Sequence, residues 1–183
     1  MILETKRLML RPWRREDAEK LYRLASDPAV ANPAGWSPHT SVEHSREIIR
    51  TILYKPTVWA VCEKDGDPIG NIHLDFDTPL REHDGECELG YWLGRPFWGQ
   101  GLMTEAAYAL LRYAFDVLGV PAVWSGYYDG NDRSRRVQEK LGFVHRHTDE
   151  VPCCGEKISV KTVHRTYLTR EMWEEQNDEP SSI

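Results

Sequence analysis

The residues in this chain whose types and spacing could do chemistry gather in one stretch, Leu93-Gly-Arg-Pro-Phe-Trp-Gly-Gln-Gly-Leu-Met-Thr-Glu-Ala, where a strand pattern gives way to a helix pattern. Gly99 and Gly101 permit positive φ and carry no Cβ, so the main chain there can approach a ligand closely. The first amides of the following helix lack partners within it, and the helix dipole adds positive potential at that end. A phosphate or diphosphate suits such a turn. The same glycines would also serve a plain strand-to-helix turn. A Walker loop is excluded, because Leu102-Met103 stands where Lys-Ser/Thr belongs, and the third glycine of a dinucleotide fingerprint is absent. Any phosphate would therefore be held by main-chain amides. Just upstream, in Cys87-Glu-Leu-Gly-Tyr-Trp-Leu, alternation puts Glu88, Gly90 and Trp92 on one strand face and Cys87, Leu89, Tyr91 and Leu93 on the other. Glu88 is a candidate general base, acting directly or through water, or a carboxylate that orients a cationic substrate. A structural carboxylate would look the same.

The elements that must position these residues follow from periodicity. Leu3 to Arg11 alternates as an early strand, Asp17 to Ser26 has helical spacing, and Ser41 to Leu53 opens with a capping-type Ser. Thr57 to Cys62 and Ile69 to Phe76 read as a hairpin around Lys64-Asp-Gly-Asp-Pro, followed by a charged loop from Thr78 to Gly85. Then come a strand to Leu93, a long helix over 102–118, a strand over 122–128, a short helix over 131–141, a strand over 142–147, and alternation from Lys157 to Leu168. The predicted class is α+β with a mixed, mostly antiparallel sheet. Residues 1–173 read as one domain, and the polar 174–183 as a flexible tail.

With 183 residues, 23 basic against 29 acidic, the chain carries a formal charge of −6. At this length folding buries roughly 70% of the unfolded surface, enough for one core without staples. The charge balance argues against a general nucleic-acid binder and for a cationic small molecule or basic peptide as partner. No apolar run approaches the ~18 residues of a membrane-spanning helix, and the first residues lack a signal-peptide core, so a soluble, cytoplasmic protein is expected. Cys62, Cys87, Cys153 and Cys154 form no C-x-x-C pair, and His145 and His147 have no further ligand nearby, so reduced thiols and no metal are expected.

Glu88-Leu-Gly-Tyr-Trp-Leu, then Pro96-Phe-Trp-Gly-Gln-Gly-Leu-Met-Thr-Glu-Ala, then Asn131-Asp-Arg-Ser-Arg-Arg-Val-Gln-Glu-Lys-Leu-Gly-Phe resembles the two signature segments of the GNAT acyl-CoA N-acyltransferases. The opening Glu4-Thr-Lys-Arg-Leu-Met-Leu-Arg-Pro resembles that of the branch containing the ribosomal-protein N-terminal acetyltransferases. With the order of elements, the likeness spans nearly the whole chain. It implies the GNAT fold, about six to seven strands splayed around a central opening with about four helices, and acetyl-CoA lying between the strands at 86–93 and 122–128. On this likeness Trp98, Gly99, Gln100, Gly101, Leu102, Met103 and Thr104 hold the pyrophosphate. Main-chain groups near Trp92 and Leu93 pair with the pantetheine arm, Asn131 and Ser134 line its far side, and some of Arg133, Arg135 and Arg136 meet the 3′-phosphate.

Two departures from the family pattern matter. Pro96, preceded by Arg95, occupies a place that often holds Gln or Arg, which weakens Arg95 as a phosphate contact. Gln138 stands where many members have a Tyr acid, and an amide cannot protonate a thiolate. Branch likeness then makes Ser134 the candidate acid, although Asn131 and Ser134 also suit a helix start. Trp36, in Asn32-Pro-Ala-Gly-Trp-Ser-Pro, sits in a Pro/Gly-rich loop between the first two helices, where the family builds an acceptor wall, with a second wall near Cys153–Lys157 and the acidic Asp75, Asp77, Glu82 and Asp84 able to attract a cation. The activity so implied is direct acetyl transfer from acetyl-CoA to a primary amine in a ternary complex, with no metal, by a monomer or homodimer. A peptide N-terminus leads as acceptor. A small-molecule amine acetyltransferase, a silent acyl-CoA sensor and an unrelated phosphate-binding module are the alternatives.

Overall fold

The computed structural model describes residues 1–64, 66–153 and 159–178. Eight strands, β1 (Leu3–Glu4), β2 (Leu8–Arg11), β3 (Val58–Glu63), β4 (Pro68–Asp75), β5 (Cys87–Leu93), β6 (Ala122–Tyr128), β7 (Val144–Cys153) and β8 (Ser159–Thr169), form one sheet in the order β1-β2-β3-β4-β5-β6-β8-β7. All neighbours are antiparallel except β5 and β6. The helices among the described residues are α1 (Ala18–Ala25), α2 (Pro28–Ala34), α3 (Val42–Ile48), α4 (Leu102–Arg112), α5 (Asp132–Lys140) and α6 (Arg170–Asp178). The mixed α+β sheet matches expectation, with one or two strands and two helices more than anticipated.

Each difference has a local cause. The single early strand breaks into a hairpin because the Thr5 N–H turns back to the Leu8 carbonyl at 2.9 Å. Glu105 holds that turn from α4, accepting from the Thr5 hydroxyl at 2.6 Å and the Arg7 amide at 2.8 Å. The segment read as a Pro/Gly loop contains α2, which has an N-cap in Asp27, Pro28 in its first turn, and Gly35 at φ 85° closing its C-terminus. That capping was visible in Asp27-Pro28. Helix α6 extends through Glu174 to Asp178, the first half of the segment read as a tail. Cys154 to Lys157, most of the anticipated second acceptor wall, lies outside the described residues.

Strand alternation sorts the core into two layers. Leu8, Leu10, Val61, Ile72, Leu74, Cys87 and Leu89 face α4 and the Trp173 end of α6. Trp13, Val58, Ala60 and Cys62 face α1 and the end of α3. Helix α1 is pinned to the sheet by Arg11, whose guanidinium grips both carboxylate oxygens of Asp17 at 2.7 and 2.8 Å in a nearly solvent-free setting. The thiols of Cys62 and Cys87 are free and buried, and burial pushes them up to about 11 and about 12, so neither is a nucleophile at neutral pH.

The feature that positions the site is a fork. β5 and β6 pair only at Cys87–Val123 and Glu88–Trp124, then part. Two side-chain contacts stitch the closed end. The Ser125 hydroxyl donates to the Leu89 carbonyl at 2.9 Å. Glu86, 0% exposed, accepts from the Trp124 indole, the Tyr167 hydroxyl and the Glu82 amide, each at 2.8 Å.

Burial alone would raise the Glu86 carboxyl, but these donors outweigh it and hold it below the usual carboxylate range. Its stabilisation is therefore complete above the unfolded carboxyl's pKa and is lost as pH falls through the lower folded value. In urea titrations at neutral pH, E86A should cost about 3 kcal/mol, because buried donors lose their acceptor. E86Q should cost less, since the Tyr167 hydroxyl can turn and accept, and it should abolish this residue's share of the acid-side loss.

Candidate active site

The fork opens into a cavity of about 560 Å³ that passes between both faces of the sheet. Antiparallel pairing with β4 directs the main-chain groups of alternate β5 residues toward β4, as the Gly94 amide shows at 2.8 Å from the Ile69 carbonyl. Leu89, Tyr91 and Leu93 therefore aim theirs at the gap. The Leu89 carbonyl is used by Ser125 and the Leu93 carbonyl by the Trp98 indole at 2.7 Å, so the Tyr91 amide and carbonyl and the Leu93 amide face the opening. Trp92, expected beside Leu93 in this role, commits its main chain to β4 opposite Asn71, and its indole instead lines the other side of the cavity.

At one end the cavity meets the start of α4. Gly99 and Gly101 have φ of 75° and 73°, a left-handed backbone that glycine adopts without strain, and the space beside Gly99 is open, since a Cβ there would meet nothing within 4 Å. Gly101 is the N-cap, and the Leu102, Met103 and Thr104 amides begin the helix there. Arg7 anchors the loop, donating to Glu105 Oε2 at 2.7 Å and the Gln100 carbonyl at 3.0 Å. Thr5 and Arg7 thus support the site from the far edge of the sheet, a role the linear spacing did not signal. Gln100 turns its own side chain back to the Pro96 carbonyl at 3.1 Å and does not line the cavity. Arg95 also lies outside it, 3.9 Å from Asp27.

Helix α5 closes the second wall. Arg133, Arg136 and Lys140 share its cavity-facing side, with the Arg133 guanidinium 3.8 Å above the Trp98 ring. Arg135 is spent elsewhere, bonded to Asp132 and Glu139 on the outer face. A net negative chain thus presents a basic stripe opposite the glycine turn. Asn131 caps α5 by accepting from the Ser134 amide at 3.3 Å, and it donates to the Pro33 carbonyl at 3.2 Å, tying α2 across the opening.

Inside this wall sits a hydrogen-bond network around an amide of fixed orientation. The Gly126 carbonyl can only accept, so the Gln138 atom 2.9 Å from it is the amide nitrogen, and Gln138 Oε1 takes the Thr166 hydroxyl at 2.6 Å. The same nitrogen is 3.2 Å from Ser134 Oγ and 3.3 Å from the Tyr91 hydroxyl, and those two oxygens are 3.0 Å apart. Burial pushes Tyr91 up to about 12, so it stays protonated. Gln138, in the place of a Tyr, is thus the amide that orients a Ser134–Tyr91 hydroxyl pair beside the gap. Spacing did not reveal Tyr91, because its partner lies 43 positions away.

On the opposite face of β5, Glu88, Trp92, His73 and Trp36 line the cavity. Glu88 accepts from the Thr78 hydroxyl at 2.7 Å, and its other oxygen is 3.6 Å from Arg165. Arg165 is shared with Asp149 at 3.0 Å. Trp36 stands edge-on to Trp92, ring centres 5.7 Å apart. Gly35 must be glycine, because at φ 85° a Cβ would strike the Tyr128 hydroxyl. No group of three metal-ligating side chains occurs among the described residues, where His147 pairs with Asp149 and His145 with Thr148. No described helix is long and apolar enough to cross a membrane.

The chain matches a family model described as acetyltransferase (GNAT) domain over residues 7–144. It is 30% identical over 147 residues to the uncharacterized N-acetyltransferase p20 of Bacillus licheniformis, spanning 77% of this chain and 81% of that one. It is 25% identical over 137 residues to the ribosomal protein uS5-alanine N-acetyltransferase of Escherichia coli (strain K12), spanning 75% and 63% of the two. Among solved structures, a GNAT-family acetyltransferase from Bacillus anthracis superposes with a TM-score of 0.78 at 21% identity, over 93% of this chain and 99% of that one.

The split roles of the α5 arginines are testable with inorganic pyrophosphate as probe. R136Q should weaken pyrophosphate binding several-fold in calorimetry and flatten its salt dependence, whereas R135Q should change neither, because Arg135 already neutralises two surface carboxylates.

Proposed function

The chain belongs to the GNAT acetyltransferase family, and from that premise we propose that it moves an acetyl group from acetyl-CoA to the α-amine of a peptide or protein N-terminus by direct attack. The observation that best supports this reading is the fork, since an extended, amide-bearing arm fits a gap where Tyr91 and Leu93 leave main-chain groups facing the opening. The glycine turn and the stripe of Arg133, Arg136 and Lys140 suit the phosphates at one end. The name of the Escherichia coli relative, an alanine N-acetyltransferase acting on a ribosomal protein, supports an N-terminal amine as acceptor.

Acetyl-CoA supplies a thioester, and for an ammonium to take its acyl group two protons must leave nitrogen, one to the base before attack and one to water as the tetrahedral adduct collapses, while one proton must reach sulfur. Glu88 receives the acceptor's ammonium and takes its proton, directly or through water. Its contacts with Thr78 and Arg165 hold the carboxylate toward the cavity. The Tyr91 or Leu93 amide, pre-aimed at the gap, can donate to the thioester oxygen as charge builds there. On the other face, the Ser134 hydroxyl hands its proton to sulfur and regains one from water when the products leave, while Tyr91 and Gln138 hold its oxygen in place. The alternation of β5 thus separates acid from base by the thickness of one strand.

A thiol-release assay with acetyl-CoA and N-terminal peptides tests this. E88Q should lower kcat/KM about a hundredfold. S134A should lower kcat roughly tenfold, because the coenzyme A thiolate leaves readily by itself, and Y91F should lower it less. The S134A/Y91F double variant should fall no further than S134A if the two hydroxyls act as one unit. Wild-type protein that binds no acetyl-CoA, or that releases no thiol with any amine, would sink the proposal.

A further inference from the structure

One cluster on the acceptor face has no part in the chemistry above. Trp13, buried under α1, donates its indole N–H to Asn71 Oδ1 at 2.8 Å, and Asn71 Nδ2 stands 3.4 Å from His73 Nδ1. An indole nitrogen only donates, so the Asn71 atom it meets is the carbonyl oxygen and the other is the NH2. That NH2 only donates, so Nδ1 is the accepting nitrogen of His73, and a neutral imidazole then carries its proton on Nε2. Burial lowers the His73 pKa from its ordinary value, which keeps the ring neutral at neutral pH. The ring lies across Gly90, where a Cβ would stand only 2.5 Å from Nε2, so the missing side chain is what admits it. Among the described residues no protein group bonds Nε2, and the ring lines the cavity.

Register brings His73 beside the carboxylate. His73 pairs with Gly90 and Asp75 with Glu88, so His73 and Glu88 are diagonal neighbours on one face of adjacent strands, a placement that typically separates Cβ atoms by roughly 7 Å. We propose that His73, locked as its Nε2–H tautomer by Trp13 and Asn71, takes the carbonyl or carboxylate oxygen of an α-aminoacyl acceptor while Glu88 takes the adjacent ammonium. The inference rests on the acetyl-transfer reading above. An amino-acid residue offers a cation and a hydrogen-bond acceptor on neighbouring carbons. A protonated polyamine offers only donors and meets no complement at Nε2–H. A neutral donor also leaves the ammonium's attraction to Glu88 unopposed, which an imidazolium would not.

Three probes with acetyl-CoA distinguish the possible acceptors: alanyl-alanyl-alanine amide, free alanine, and ethylamine, which lacks the carbonyl. The wild type should favour the peptide over ethylamine by at least tenfold in kcat/KM, and the ratio of peptide to alanine tells a bound N-terminus from a free amino acid, either of which fits. H73F, which keeps a ring over Gly90 without the donor, should raise the peptide KM roughly five- to tenfold while leaving the KM for acetyl-CoA and the rate with ethylamine unchanged. H73Q, whose amide can present an N–H to the cavity but cannot act as a base, should restore much of the peptide preference. In 15N-edited NMR the imidazole resonances missing from H73Q should be those of an Nε2–H ring. An Nδ1–H ring in the wild type, an unchanged peptide KM in H73F, or a collapse of kcat in both variants, the mark of a general base, would each overturn the inference. Wild-type protein that binds no acetyl-CoA would overturn the parent reading and this one together. Thiol release without preference for the peptide or alanine over ethylamine would overturn this one alone.

Discussion

Every functional feature of this molecule depends on two parallel strands that stop pairing after two residues. A sheet interior does not leave a strand edge unpaired without compensation, because main-chain polar groups withdrawn from water need partners. Here the closed end of the fork is held by side chains, Glu86 across three segments and Ser125 onto Leu89, so that the open end stays apart. Beyond that point the edge of β5 faces a cavity that an extended ligand backbone can fill. The fork also explains why α4 and α5 lie where they do. Helix α4 connects β5 to β6 across the opening and α5 follows β6 on the far side, and each brings to the rim the end or face that carries positive potential.

The second organising element is the period of two along β5. Tyr91 projects toward α5 and joins the hydroxyl pair, while Trp92 projects to the opposite face against the α1 layer and Glu88, on that same face, meets Thr78. One strand therefore separates a wall of hydroxyls, Tyr91 and Ser134, from a wall that carries the Glu88 carboxylate, and both line the same cavity. This requires Gly90 at the centre, where a side chain would displace His73. It also requires the loop from Thr78 to Gly85 to return β5 in the register that places His73 opposite Gly90.

In both walls, groups with a single hydrogen-bonding role govern groups that have two. The Gly126 carbonyl orients Gln138, and Gln138 orients Ser134 and Tyr91. The Trp13 indole orients Asn71, and Asn71 orients His73. Each chain ends in a side chain that faces the cavity. The Gln that stands in place of a family Tyr thus takes part in the hydrogen bonding of the wall, donating to the hydroxyls of Ser134 and of Tyr91 on β5.

Local pattern in the sequence was enough to announce the glycine turn before α4, the carboxylate at Glu88, the helix start at Asn131 and the alternation of the strands, because each depends on neighbours within one turn or one pleat. Asp27-Pro28 carried the capping signature of α2 as well, although the prolines and Gly35 around it read as loop. Long-range pairing was not written in any local pattern. Tyr91 meets Ser134, Trp13 meets Asn71, and Arg7 holds the Gln100 carbonyl only because the sheet closes in a particular register, and a shift of one residue would turn each of those side chains to the opposite face. Sequence alone therefore determined which chemistry was available and on which element. The tertiary structure decided which groups face one another across the fork, because hydrogen bonds a few ångströms long join segments tens of positions apart.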